Sequence, residues 1–62
     1  MSYIFYWSVN NSFSETEKLM SWAKRHCPSY ITNDVENRAD GWYYRLYFGE
    51  EKDYVFFTLM WG

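Results

Sequence analysis

One cysteine, one histidine, one proline and three glycines are spread through 62 residues, and each shortage excludes something. Cys27 alone rules out an internal disulfide, and Cys27 with His26 cannot supply the four Cys and His ligands of a structural zinc site. Three scattered glycines leave no phosphate-cradling loop, and no metal-ligand spacing occurs. Nothing in the sequence calls for a cofactor. No membrane span is expected, because the apolar start, Met1 to Asn10, is too short and has no basic flank or small-residue cleavage site. A basic excess is missing as well. Six Lys and Arg against eight Asp and Glu give a formal charge of −2, whereas nucleic-acid modules normally carry a strongly basic balance. A free thiol with no targeting segment fits a reducing, cytoplasmic setting. Met1 at the start fits a stand-alone gene product.

Aromatic residues are what the chain has in abundance: four Trp, seven Tyr and five Phe make up 26% of it. A domain of about this length buries only about 60% of its unfolded surface. Without disulfide or metal it needs a rich core, oligomerisation, or both. Aromatic side chains bury roughly 150–250 Å² each. A single compact domain over 1–62, built on aromatic packing, is the expectation.

Tyr3 to Val9 reads as a strand, with Tyr3, Phe5, Trp7 and Val9 on one side and Ile4 and Tyr6 on the other; apolar residues on both sides suit a strand covered twice or interior to a sheet. A helix follows. Ser14 with Glu17 has capping-box spacing, and Ser12 with Glu15 offers the same signal slightly earlier. Phe13, Thr16, Leu19, Met20, Ala23 and Cys27 fall on one face at about 100° per residue. Acidic residues stand at its start and Lys24, Arg25 and His26 at its end, as the helix dipole favours, and Pro28 stops it.

Tyr30 to Arg38 is weakly patterned, but Asp40-Gly41 before an alternating run is a hairpin signal of type I′. That turn pairs Val35 with Leu46 on the inner side and Glu36 with Arg45 on the outer. Trp42 to Phe48 alternates, with Trp42, Tyr44, Leu46 and Phe48 inward and Tyr43, Arg45 and Tyr47 outward. Tyr54 to Trp61 reads as a final strand beyond a polar turn. Its register places Val55, Phe57, Leu59 and Trp61 opposite Phe48, Leu46, Tyr44 and Trp42. The predicted architecture is α+β, in the order β-α-β-β-β: a small antiparallel-rich sheet of three or four strands with one helix packed on one face.

Converging catalytic groups are scarce. His26 and Cys27 are neighbours on a helix and project about 100° apart, so they cannot pair as base and nucleophile by themselves. Glu50, Glu51 and Asp53 read as solvated turn residues. A non-enzymatic role follows from that scarcity.

The outer sheet face is the candidate surface. It carries Tyr43, Tyr47, Phe56, Met60, Arg45 and Tyr6, with Tyr47 expected beside Phe56 and Tyr43 beside Met60. Contiguous exposed aromatics of this kind mark contact faces, and Tyr, Phe, Met and Arg are enriched at interface centres. Strand propensity alone also favours Tyr at such positions. Trp22 reads as core boundary before partner anchor. Two functions remain open. One is a protein-binding domain, an inhibitor or adaptor of a larger protein, such as a viral protein that blocks a host enzyme, or a homodimer through the same face. The other is a single-stranded nucleic-acid binder in which Tyr43, Tyr47 and Phe56 stack bases while Arg38 and Arg45 meet phosphates; the acidic balance disfavours it.

Overall fold

The computed structural model describes residues 2–62; Met1, on which the reading of a stand-alone product rests, lies outside them. The element order is β1 (Tyr3–Ser8), α1 (Phe13–His26), β2 (Tyr30–Arg38), β3 (Gly41–Phe48) and α2 (Glu51–Trp61). The fold is α+β, a three-stranded antiparallel sheet with two helices. Strand order is β1-β3-β2, so β3 is central and hydrogen-bonds on both sides.

The first helix forms where its capping signals stand. The earlier of the two applies: Ser12 is the N-cap, and its hydroxyl accepts the Glu15 amide at 3.1 Å, which satisfies one of the orphan donors of the first turn. Leu19, Ala23 and Cys27 from the predicted apolar face are buried. Phe13, placed on that face by periodicity, is 80% exposed, because the core ends before the first turn. Trp7 anchors β1 to the helix by donating its indole N–H to Thr16 Oγ1 at 3.0 Å.

The β2–β3 hairpin forms two residues out of the predicted register. Val35 pairs with Tyr44 and Asn33 with Leu46; Glu36 faces Tyr43 and Asp34 faces Arg45. A type I′ turn over Asp40-Gly41 needs positive φ at both positions, but only Gly41 has one, at 134°. Ala39 and Asp40 therefore occupy the turn, and Gly41 opens β3. Because a strand repeats every two residues, a slip of two leaves every side chain on its assigned face. Leu46 and Phe48 are accordingly buried, while Trp42, beyond the core, is half exposed. A register shift between Tyr30 and Thr32 marks a bulge in β2. Ile31 and Val35 of that edge strand stay exposed, and the core reaches it at Tyr30, whose ring lies 5.8 Å from that of Phe48.

The last element departs from expectation outright: residues 51–61 are helix, not strand. Tyr54 to Trp61 is apolar at nearly every position, so an alternating pattern and a helical one fit it equally. Tertiary contacts decide between them. Ser29, in the loop after α1, donates its amide N–H (2.9 Å) and its hydroxyl to Asp53 Oδ2, and the same hydroxyl accepts the Glu50 amide at 3.1 Å. Glu50 is the N-cap of α2 and makes no side-chain cap of its own. Ser29 thus does from another loop what a capping box does locally, joining the N-cap amide to the carboxylate three residues on. Asp53 is buried, and the Ser29 hydroxyl, then the Ser29 amide and the Lys52 charge, hold its carboxyl below the usual 3.8.

Helical phase then turns Asp53, Tyr54, Phe57 and Trp61 inward. Phe57 is fully buried, with its ring 4.8 Å from Phe5 edge-on and 5.1 Å from Phe48. One core results, made of Phe5, Leu46 and Phe48 from the sheet, Leu19, Ala23 and Cys27 from α1 and its cap, and Phe57 from α2.

Candidate contact surfaces

Four of the six residues assigned to an outer face are brought together there. Ile4 pairs with Tyr47, Tyr6 with Arg45 and Ser8 with Tyr43 across β1 and β3; Asp34 and Glu36 lie on the β2 side of the same face. Arg45 is the hub. Its Nε and Nη2 donate to the two oxygens of Asp34 at 2.7 and 2.8 Å, and Nη1 donates to Glu36 at 2.9 Å. Tyr47 adds its hydroxyl to Asp34 at 3.0 Å, and Tyr43 donates to Asp40 at 2.7 Å. The Arg38 guanidinium lies 4.7 Å from the centre of the Tyr6 ring and 5.7 Å from that of Tyr43.

These bonds set the electrostatics of the face. The Arg45 guanidinium holds Asp34 below the ordinary carboxylate range, and its own proton is held more firmly in return. The bond to Asp40 raises the Tyr43 phenol, and desolvation followed by Asp34 raises Tyr47. Donors and acceptors on this side of the sheet are spent largely on one another.

Phe56 and Met60 are elsewhere. With α2 a helix, neither can pair with Tyr47 or Tyr43 across a sheet, and the predicted Tyr47–Phe56 and Tyr43–Met60 neighbours do not form. Both lie on the outside of α2 beside Val55 and Leu59. Exposures there are 47% for Val55, 44% for Phe56, 78% for Leu59 and 57% for Met60. Positions 55 and 59, and 56 and 60, are each one turn apart, so the four make a continuous apolar strip. Sequence reasoning placed Val55 and Leu59 in the core through the strand phase. The overlooked signal is a helix with no polar face between Tyr54 and Trp61 except Thr58, whose hydroxyl bonds back to the Tyr54 carbonyl at 2.8 Å.

Trp22 connects this strip to α1. Its ring centre lies 5.2 Å from that of Phe56, 5.8 Å from Phe57, 6.4 Å from Trp61 and 4.7 Å from His26. It therefore closes the core on one side and shows an edge on the other. An open groove of about 340 Å³ runs beside it, lined by Lys18, Ser21, Trp22, Arg25, His26 and Trp61. Trp61 Nε1 is buried with no hydrogen-bond partner among the described residues.

Cys27 offers no nucleophile. It is buried, and desolvation followed by the nearby Asp53 charge raises its thiol, which disfavours the reactive thiolate. Among the described residues, no three His, Cys, Asp or Glu side chains gather as metal ligands. No helix among the described residues is long and apolar enough to cross a membrane. Comparison with protein-family descriptions, curated proteins and solved structures finds no match for this chain.

Proposed function

We propose that this chain is a small non-enzymatic domain that binds another protein, and that it does so chiefly through the outside of α2. One observation carries the reading. A helical stretch apolar nearly all round, as Tyr54 to Trp61 is but for Thr58, belongs in an interior, yet Val55, Phe56, Leu59 and Met60 of α2 stand partly in solvent in the isolated chain. Exposed apolar patches that are contiguous rather than scattered mark contact sites. Phe and Met anchors beside a Trp edge match the residue types that dominate interface energetics. A domain this small gains stability from covering such a strip, which suits an adaptor or inhibitor that works in a complex.

The sheet face supports the reading less. Its aromatic rings are real, but Arg45 is saturated by Asp34 and Glu36, and Arg38 lies over Tyr6 and Tyr43 with its Nε 3.5 Å from Glu36. A partner there displaces good bonds before making new ones. The same commitment weakens single-stranded nucleic-acid binding, because Arg38 and Arg45 are the cations it needs for phosphates. The buried thiol suits a reducing compartment, consistent with a cytoplasmic setting.

Immobilised wild-type chain and a Phe56→Ser/Leu59→Ser variant, exposed to lysate of the source cells, test the proposal when retained proteins are quantified by mass spectrometry. Both residues are exposed, Phe56 meeting Trp22 on one side, so circular dichroism should be unchanged. The expected result is a protein retained by wild type and lost with the variant. Identical retained sets count against it.

A further inference from the structure

Three of the six basic residues make no ion pair among the described residues, and all three sit on α1. Arg38 and Arg45 meet Glu36 and Asp34, and Lys52 meets Glu50. Lys18, Lys24 and Arg25 have no carboxylate within ion-pairing distance among the described residues. Lys18 and Arg25 line the groove, together with His26 and the indoles of Trp22 and Trp61, and no acidic residue lines it. In a chain of net charge −2, this is a local basic rim around an aromatic trough. The trough opens onto the apolar strip of α2 through Phe56, whose ring packs on Trp22. Alongside it, Phe13, Ser14, Glu17, Lys18 and Ser21 line a shallower depression that extends the concavity along α1.

Resting on the proposal that α2 is a protein-contact face, we infer that the α1–α2 groove receives an acidic helical segment of the partner. The apolar anchors of such a segment fill the Trp22–Trp61 trough and lie on Phe56 and Met60. Its carboxylates reach Lys18 and Arg25. Helix-in-groove recognition uses this division, with apolar residues at one-turn spacing for affinity and complementary charge for orientation, partner choice and encounter rate. A basic or uncharged segment of the same shape leaves the rim cations unpaired or repelled. Specificity then comes from charge, and adhesion from the indole walls.

The test uses two fluorescein-labelled amphipathic helical peptides with identical leucines at i, i+4 and i+7, one carrying Glu at the remaining exposed positions and the other Lys. Fluorescence anisotropy follows their binding to the intact chain at low and high salt. The acidic peptide should bind at least about tenfold more tightly than the basic one, with the preference shrinking as salt screens the rim. Lys18→Glu/Arg25→Glu should invert the preference, while Lys52→Glu, a charge change away from the groove, should leave it. All these positions are exposed, and circular dichroism checks that each variant is folded. Equal binding of both peptides, abolished by Phe56→Ser, overturns the acidic preference and leaves α2 as the contact face. Binding of neither peptide overturns the groove as a helix site. A preference for phosphatidylserine vesicles over the acidic peptide overturns a protein segment as the occupant, and so does concentration-dependent dimerisation, seen by light scattering, that Arg25→Glu abolishes.

Discussion

Ser29 places both its amide and its hydroxyl on one oxygen of the Asp53 carboxylate, across 24 positions of chain. The loop after α1 is thereby fixed to the first turn of α2. Two donors, the positive end of a helix dipole and the neighbouring Lys52 charge keep this buried carboxylate ionised. Ser29→Ala should cost about 1.5–3 kcal/mol, the range for hydrogen bonds to a charged group. Urea unfolding followed by circular dichroism measures it. An unchanged midpoint means that α2 is held by its apolar contacts alone.

Acid should weaken the fold through the same pair. Asp53 and Asp34 both have folded-state pKa values below the ordinary 3.8. In the interval between the two states the unfolded chain binds more protons, so stability falls as pH falls. The contribution is fully present above pH 4 to 5 and disappears as the medium drops through the folded values. Thermal melts from pH 7 to pH 2 should show a declining acid limb, less steep in Ser29→Ala. A flat profile shows that neither carboxylate is stabilised by folding.

Gly41→Ala should cost about 1–2 kcal/mol, the cost of a left-handed backbone for an L residue. An added Cβ meets nothing within 4 Å, so the loss is conformational and not steric. Denaturation midpoints for Gly41→Ala that match wild type place the strain elsewhere in the hairpin.

Leu46→Ala and Phe57→Ala should each cost about 2–5 kcal/mol as core truncations, enough to unfold a domain with only about 5 kcal/mol in reserve. Leu59→Ser, although an equally apolar residue is lost, should stay within about 0.5 kcal/mol. Calorimetry of the three separates a residue that holds the fold from one that faces a partner. A large loss at Leu59 assigns the α2 exterior to stability.

The first helix, the three strands and the face of β3 were legible in the sequence because each rests on a local signal. Capping serines, a proline stop and clean alternation from Trp42 to Phe48 are all short-range. The hairpin register was off by two, yet its faces survived, since Leu46 needs only the right parity to point inward. Arg45 even reaches Glu36 as expected, but diagonally, with Asp34 directly opposite. The identity of α2 was not legible, because its apolar run satisfies both periods and the deciding contact is a serine far away in sequence. Alternation places Phe56 and Met60 on the surface of a strand that does not form. Their exposure arises instead from a helix whose outer side is left in solvent except where Phe56 meets Trp22.

Hydrogen–deuterium exchange on the chain, alone and with the partner identified by capture, tests the central claim most directly. Protection should appear across residues 54–61 of α2 and 18–26 of α1, with β1 and β3 unchanged. Protection confined to residues 3–8 and 43–47 contradicts the claim and returns the contact to the aromatic sheet face.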